Sequence, residues 1–210
     1  MSCGGEQAGI RSAGRSYDGR MGTRERIVDA AEQVVREFGI VGATTKRIAS
    51  AAGCSEALLY KHFPGKESLL LAVLLERLPA LGPALTRLRL VIGSGDVADH
   101  LTVFTLAALE FYTRAAGIAA GVLADPSLTE GFRAMLARSG SGPHVPIQAL
   151  AEVIAGEQAR DRIDPKLDPG AAASMLMGAC FHRANLSCYV DLPDDDAVWA
   201  AAIVGTLLRR

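Results

Sequence analysis

The sequence predicts an all-α protein of about nine helices, and three properties of the chain support this prediction. Hydrophobic residues make up 50% of the 210 residues and aromatic residues only 5%, a composition that favours packed helices rich in Ala and Leu over a β-sandwich. Apolar residues recur at spacings of three and four, as they do on one face of a helix. No segment shows the strict alternation of polar and apolar residues that is typical of a half-buried strand.

The first 22 residues differ from the rest of the chain, because they are rich in Gly, Ser and Arg and show no hydrophobic periodicity. This pattern predicts a flexible arm. Its Arg11, Arg15 and Arg20 could contact a phosphate backbone or a minor groove, although a solvated tail is the commoner role of such a terminus. The arm contains no apolar run that could serve as a signal peptide.

The next helices are short and sharply bounded. Thr23 is a good N-cap, and the apolar periodicity that follows it ends at Gly39, which predicts a helix stop. Two short helices then flank a tight turn at Gly53-Cys54, and Pro64-Gly65 separates them from a fourth helix. The four helices are predicted at residues 24–38, 45–52, 56–62 and 66–78.

The remaining two thirds of the chain predict longer helices. Pro79 and Pro83 should end or kink the fourth helix, and Asp96, Asp125 and Asp168 stand where they can cap later ones. Five further helices are predicted at residues 97–116, 126–138, 145–158, 169–189 and 194–208. The predicted organisation is an arm at 1–22, a small helical domain at 23–68 and a larger one at 69–210.

Two short helices joined by a Gly-containing turn, with a stabilising helix on either side, predict a helix-turn-helix unit that binds DNA. Ala49 and Gly53 are small where the two helices must approach closely. The charge distribution adds little to this prediction. Residues 1–70 contain ten Lys or Arg and eight Asp or Glu, a net charge of +2, and residues 71–210 contain twelve and fifteen, a net charge of −3.

Residues 23–70 closely resemble the DNA-binding domain of the TetR family of transcriptional regulators. The matching residues, in chain order, are Arg24, Ile27, Ala30-Ala31, Phe38-Gly39, Thr44, Ile48-Ala49, Ala52-Gly53, Ser55, Leu59-Tyr60, Phe63-Pro64, Lys66-Glu67 and Leu69. They occupy about a quarter of the chain. The resemblance implies a homodimeric regulator, usually a repressor, that binds double-stranded operator DNA and responds to a small-molecule effector.

The resemblance also implies roles for individual residues. Thr44 and Tyr60 look like the family's phosphate-contacting residues, and Lys66 like a lysine that clamps the DNA backbone from a helix N-terminus. On the third helix, Lys61 could address guanine and Glu56 could accept a hydrogen bond from cytosine N4. The full predicted DNA-contacting set is Arg24, Thr44, Thr45, Lys46, Ser55, Glu56, Ala57, Leu58, Tyr60, Lys61, His62 and Lys66.

Two residues of the third helix depart from the family pattern. Ala57 stands where glycine is common, and Leu58 stands where a Thr or Ser often contacts DNA. Leu58 could contact a thymine methyl group or could pack inward. The pattern of the third helix therefore does not predict the operator sequence.

Residues 80–210 carry no comparable motif, and here the resemblance implies a regulatory domain with a pocket and a dimer interface. The helix at 169–189 is apolar nearly all round, so we expect it to form a four-helix interface together with 194–208 of each subunit. An apolar or aromatic effector is expected, because the helices around the pocket contain few charges. Candidate pocket residues, each of which could instead be plain core, are Phe104, Phe111, Tyr112, Met135, His144, Met175 and Phe181.

The expected mechanism is allosteric. Effector binding would move the fourth helix, which we expect to be the only rigid link between the domains. This movement would change the separation of the two recognition helices from the roughly 34–36 Å between successive major grooves.

No cofactor, metal or catalytic site is predicted. The cysteines lack C-x-x-C spacing, and Cys180 and His182 lie two apart on a helix, so they point in different directions. No phosphate-binding, dinucleotide-binding or hydrolase motif occurs. A soluble, cytoplasmic protein without a membrane span is expected. Two alternatives stay open: a redox-responsive regulator that uses Cys54, Cys180 or Cys188, and a helical adaptor that does not bind DNA.

Overall fold

The computed structural model describes residues 22–76, 81–139, 142–193 and 195–209, and over these residues the fold is all-α with ten helices and no strand. This confirms the predicted fold class. The helices are α1 (Thr23–Gly42), α2 (Thr45–Ala51), α3 (Glu56–His62), α4 (Lys66–Glu76), α5 (Leu81–Leu90), α6 (Val97–Ala124), α7 (Pro126–Ser139), α8 (His144–Gln158), α9 (Pro169–Leu186) and α10 (Asp196–Leu207). The amino-terminal arm, except for Gly22, lies outside the described residues.

The sequence did not predict α5, because Pro83 was expected to end or kink a helix. In the structure Pro83 is the third residue of α5. The first four N–H groups of a helix have no acceptor within it, so a proline at this position gives up no hydrogen bond. The buried side chains of Leu81, Leu85 and Leu88 then hold α5 against the core.

Gly39 interrupts α1, as the sequence predicted. Its φ of 66° and ψ of 174° are not helical, and the chain bends there before the last residues of α1. The bend allows Ile40 to bury its side chain. Ile40 then packs against Gly121 of α6, where an added Cβ would lie only 2.6 Å from the Cβ of Ile40.

Buried apolar residues form two separate clusters, and α6 contributes to both. The first cluster joins α1–α4 to Ile118 and Val122 of α6 and to Leu128 of α7. The second cluster joins α5, α8, α9 and α10 to the opposite half of α6, through residues that include Leu101 and Phe104. The expectation that the fourth helix is the only rigid link between the domains is therefore wrong. Helix α6 is a second link, and it is packed on both sides.

The double packing accounts for part of the apolar character of α6, since 33% of its most apolar stretch is buried. Two stretches, Lys66–Leu90 and Val97–Ala124, are long and apolar enough to cross a membrane by length and composition. The first runs over residues outside the described ranges, and the second is α6 itself. A helix that is buried at both ends in apolar cores passes the same test, so the finding is weak evidence for a span.

The contact between α6 and α1 makes a prediction about stability. We expect Gly121→Ala to lower the free energy of unfolding by about 1–3 kcal/mol, because Ile40 must move to admit the new methyl group. Gly117→Ala is the matched control, since a Cβ on this glycine of the same helix would meet nothing within 4 Å. It should raise stability by about 0.5–1 kcal/mol, as alanine is the better helix former. Urea unfolding followed by circular dichroism measures both, and equal effects would contradict the packing.

Candidate nucleic-acid interface

The turn between α2 and α3 is fixed by backbone hydrogen bonds and by one glycine. Gly53 has a φ of 65°. This backbone conformation is unfavourable for residues that have a Cβ atom, and glycine adopts it readily. Its N–H donates to the carbonyl of Ser50 at 3.2 Å, and the N–H of Cys54 donates to the carbonyl of Ala49 at 3.0 Å. These two bonds form a Schellman motif, which ends α2 and sets the direction in which α3 leaves.

Both short helices begin at a side-chain cap that also faces solvent. The Thr44 hydroxyl accepts a hydrogen bond from the N–H of Arg47 at 3.2 Å, and the Ser55 hydroxyl accepts one from the N–H of Leu58 at 3.2 Å. A hydroxyl that accepts still has its own proton to donate. Thr44 and Ser55 can therefore cap their helices and donate to a phosphate at the same time.

Three buried side chains orient α2 and α3. Ile48 and Leu59 are fully buried, and Phe63, the residue directly after α3, is buried in the same core. This burial turns the rest of α3 toward solvent. The exposed residues of the helix are Ala57, Leu58, Tyr60, Lys61 and His62. Leu58 has 36% of its surface exposed, so the structure places it on the outer side of α3.

Thr45, Glu56 and Tyr60 come together at the junction of α2 and α3. The Thr45 hydroxyl donates to Oε2 of the Glu56 carboxylate at 3.1 Å, and it lies 3.3 Å from the Tyr60 hydroxyl. Thr45 and Glu56 are half-buried, and Tyr60 is exposed. The structure thus places these three predicted contact residues in one hydrogen-bonded chain.

Lys66 is held at the start of α4 by a carbonyl of the bend in α1. Its Nζ donates to the carbonyl oxygen of Ile40 at 2.7 Å. An ammonium group has three N–H bonds, so this interaction is compatible with a phosphate contact. The pKa of Asp125 is lowered chiefly by the hydrogen bond that the Ser127 hydroxyl donates to it at 2.7 Å. The positive charge of Lys66 lowers this pKa further.

Two arginines of the domain are bound within the protein. Arg24 forms a bidentate ion pair with Glu76, at 2.9 and 2.6 Å, and lies over the ring of Phe63. The structure gives Arg24 a partner on α4, and its contact with DNA stays a prediction. Arg47 lies 4.2 Å from the ring centroid of Phe38 and donates to the carbonyl of Gly42 at 2.6 Å. Sequence reasoning did not include Arg47, although it is exposed in the first turn of α2 next to Lys46.

The structure brings together three of the seven candidate pocket residues. Phe111 and Tyr112 lie on α6 with ring centroids 5.3 Å apart, and Tyr112 lies 5.6 Å from Phe181 of α9, both pairs edge to face. Burial raises the pKa of Tyr112. We call these three rings the aromatic cluster.

The other four candidates lie apart from the aromatic cluster. Phe104 is buried in the second core cluster, with 2% of its surface exposed. Met135 is half-buried on α7, and His144 is exposed at the start of α8. Met175 has 68% of its surface exposed on α9. Effector contact by any of the seven stays a prediction.

Helices α9 and α10 share an ion pair and carry exposed apolar residues. The buried Arg183 of α9 pairs with Asp196 at 2.9 Å and lies 4.9 Å from the ring centroid of Trp199 of α10. These contacts fix the two helices against each other. The exposed large apolar residues on and just beyond them are Met175, Phe181, Leu186, Tyr189, Val190 and Val198.

The amino-terminal domain matches a family model. The model described as bacterial regulatory proteins, tetR family, matches residues 27–73, which lie within α1–α4. The chain is also similar to TtgW of Pseudomonas putida, described as an uncharacterized HTH-type transcriptional regulator, with 46% identity over 55 residues. That match covers 26% of this chain and 41% of TtgW, so it spans less than half of the relative.

Two longer similarities extend beyond the amino-terminal domain. The HTH-type transcriptional regulator UidR of Escherichia coli is 27% identical over 158 residues, which cover 74% of this chain and 76% of UidR. The structure of the transcriptional regulator FadR from Bacillus subtilis in complex with stearoyl-CoA superposes with a TM-score of 0.62. It shares 19% identity over 87% of this chain and 96% of FadR. At this identity the superposition shows a shared fold.

The environment of Cys180 makes a prediction about thiol reactivity. Cys180 is fully buried and its Sγ donates to the carbonyl of Thr105 at 3.6 Å. Burial raises the pKa of this thiol to about 12. Because the thiolate is the reactive form, the native protein should react with iodoacetamide slowly at Cys180 at about pH 8 and faster only as the pH rises toward that pKa.

Cys180 in the urea-unfolded protein is the comparison, because unfolding removes the burial of its thiol. Mass spectrometry of peptides from native and from unfolded protein, alkylated for increasing times at the same pH, measures the labelling of Cys180 in each. Cys180 should be labelled fully only after denaturation. Labelling of Cys180 in folded protein at the rate found in unfolded protein would contradict the buried, protonated thiol.

Proposed function

We propose that this chain is a ligand-responsive transcriptional repressor of the tetR family that binds operator DNA as a homodimer, since the family model matches residues 27–73. The observation that carries this proposal is the α2–α3 unit with its exposed outer face. A Schellman turn, two side-chain caps and three buried apolar residues hold α3 rigidly, as a helix that enters a major groove requires. A regulator of this kind acts on cytoplasmic DNA.

In this proposal α3 is the recognition helix, and phosphate contacts on either side of it hold it in the groove. Thr44 precedes α2, Tyr60 lies on α3 and Lys66 begins α4, so a hydroxyl or an ammonium group stands near each of the three helices. Such groups hold the protein in register on the duplex without reading its sequence. Base reading then falls to the exposed side chains of α3, above all Lys61 and Leu58, which suit guanine and a thymine methyl group.

The dimer is proposed to form through α9 and α10. Tyr189, in the turn that follows α9, has 85% of its surface exposed in the single chain, and Met175 and Val198 are exposed on the two helices. An apolar surface of this kind is typical of a subunit interface. A twofold axis through this surface would give each dimer two copies of α3, as binding to an inverted-repeat operator requires.

The effector is proposed to be an apolar or aromatic small molecule that contacts the aromatic cluster. FadR, which shares the fold, holds stearoyl-CoA, so this architecture can accommodate a long apolar ligand. Phe111 and Tyr112 lie on α6 between its two buried halves. An effector that displaces their rings would therefore move a helix that is packed into both core clusters, and this movement would carry the signal to α1–α4.

DNA binding is tested by fluorescence anisotropy with labelled duplexes that tile the region upstream of the gene. We expect one duplex to bind selectively and with steep salt dependence. Lys66→Ala should weaken this binding by roughly tenfold or more and should reduce the slope of log K against log salt by about two, because each subunit of the dimer loses one phosphate contact. Tyr60→Phe should weaken it by a smaller factor.

Lys166→Ala is the matched control, because Lys166 is exposed in the loop before α9 and its loss changes the net charge equally. It should leave the affinity and the salt slope unchanged. Wild-type protein that is folded and dimeric but shows no salt-sensitive binding, either to these duplexes or to genomic DNA, would contradict the proposal. Salt-insensitive binding to a protein partner would instead favour a helical adaptor.

A further inference from the structure

The hydrogen-bonded chain of Thr45, Glu56 and Tyr60 has a direction that follows from counting protons. A carboxylate has no proton, so the Thr45 hydroxyl must donate its single proton to Glu56, over 3.1 Å. The interaction between Thr45 and Tyr60, over 3.3 Å, then requires the Tyr60 hydroxyl to donate. Both hydroxyl protons therefore point inward, toward Glu56.

This direction opposes phosphate binding. A phosphate oxygen accepts hydrogen bonds, and Thr45 and Tyr60 present lone pairs outward as long as Glu56 holds the chain. The Glu56 carboxylate adds a negative charge beside the surface on which the phosphates would lie. As it stands, the chain makes the predicted phosphate contact of Tyr60 unfavourable, and it also turns the Thr45 hydroxyl away from any phosphate beside it.

The position of Glu56 provides a way to release the chain. Glu56 is the first residue of α3, and the amino-terminal residues of a recognition helix are those that reach base edges. The major groove presents two amino donors that a carboxylate can accept from, cytosine N4 and adenine N6. A base with such a group could take over the carboxylate from Thr45.

We propose that Glu56 is a specificity-determining residue that makes the phosphate contacts of Thr45 and Tyr60 conditional on an amino group at one base of the operator half-site. The inference rests on the proposed DNA-binding function and deepens it. On the correct sequence the base occupies the carboxylate, and the two hydroxyls turn outward to the backbone. On other DNA the carboxylate keeps both hydroxyls and repels the phosphates.

The test compares Glu56→Gln with wild type on two duplexes, the tightest-binding upstream duplex and one of scrambled sequence. Glutamine is uncharged and can present either an oxygen or an N–H group to Thr45, so it no longer fixes the direction of the chain. We expect E56Q to bind scrambled DNA roughly three- to tenfold more tightly. The ratio of specific to non-specific affinity should fall by about tenfold or more.

A second measurement separates base reading from a purely structural role. Each base pair of the operator is replaced in turn, and the affinity of wild type and of E56Q is measured for every replacement. At one position per half-site, wild type should prefer a base with an amino group, and E56Q should not show this preference. Glu130→Gln is the matched control, since Glu130 is exposed on α7 and its loss changes the charge equally. It should leave the affinity ratio unchanged.

A Thr45→Val background tests the chain itself. Without the central hydroxyl, E56Q should change the affinity for scrambled DNA by a smaller factor than it does in wild type. An unchanged affinity ratio in E56Q, or an equal loss on both duplexes, would overturn the inference while wild-type binding still supports the proposed function. Failure of the wild-type protein itself to bind DNA would overturn the proposed function, and the inference with it.

Discussion

The structure depends on the burial of both halves of a single helix. One half of α6 completes the core of α1–α4 through Ile118 and Val122, and the other half completes the core of the larger domain through Leu101 and Phe104. Interiors are close-packed, so α6 cannot shift in one core without strain in the other. The absence of a side chain at Gly121 is what lets the bend of α1 approach. In the proposed function, a signal from the larger domain would therefore reach α1–α4 through these packed side chains.

The recognition unit is rigid although its helices are too short to be stable alone. Helices α2 and α3 have seven residues each, and isolated helices shorter than about 12–15 residues are marginal in water. Caps at Thr44 and Ser55, the turn at Gly53 and the buried Ile48 and Leu59 supply the order that their length does not. The hydroxyls that cap these helices stay exposed, so the groups that stabilise the unit are also free to make the proposed phosphate contacts.

Features set by neighbouring residues could be predicted from the sequence, and those set by distant contacts could not. The turn, the caps and the stop at Gly39 follow from residue types within a few positions of one another. The presence of α5 could not be derived, because it depends on where in the helix Pro83 falls. Glu76 pairs with Arg24 across 52 positions, and no local pattern marks this pair.

The candidate sites divide in the same way. The exposed face of α3 follows from its periodicity, whereas the contact of Glu56 with Thr45 depends on how two helices cross. In the larger domain the aromatic cluster needs α6 and α9 to pack together, and periodicity alone does not separate its rings from the buried Phe104. The double packing of α6 could not be predicted, because the apolar pattern of a helix does not show whether it packs into one core or into two.

Selection of duplexes from a random library by the protein tests most directly whether a twofold dimer presents two copies of α3 to DNA. We expect enrichment of an inverted repeat whose half-sites lie about 10–10.5 base pairs apart, or a multiple of this, because the two copies of α3 must enter grooves on one side of the duplex. Enrichment of a single unrepeated site, or of no sequence at all, would contradict it.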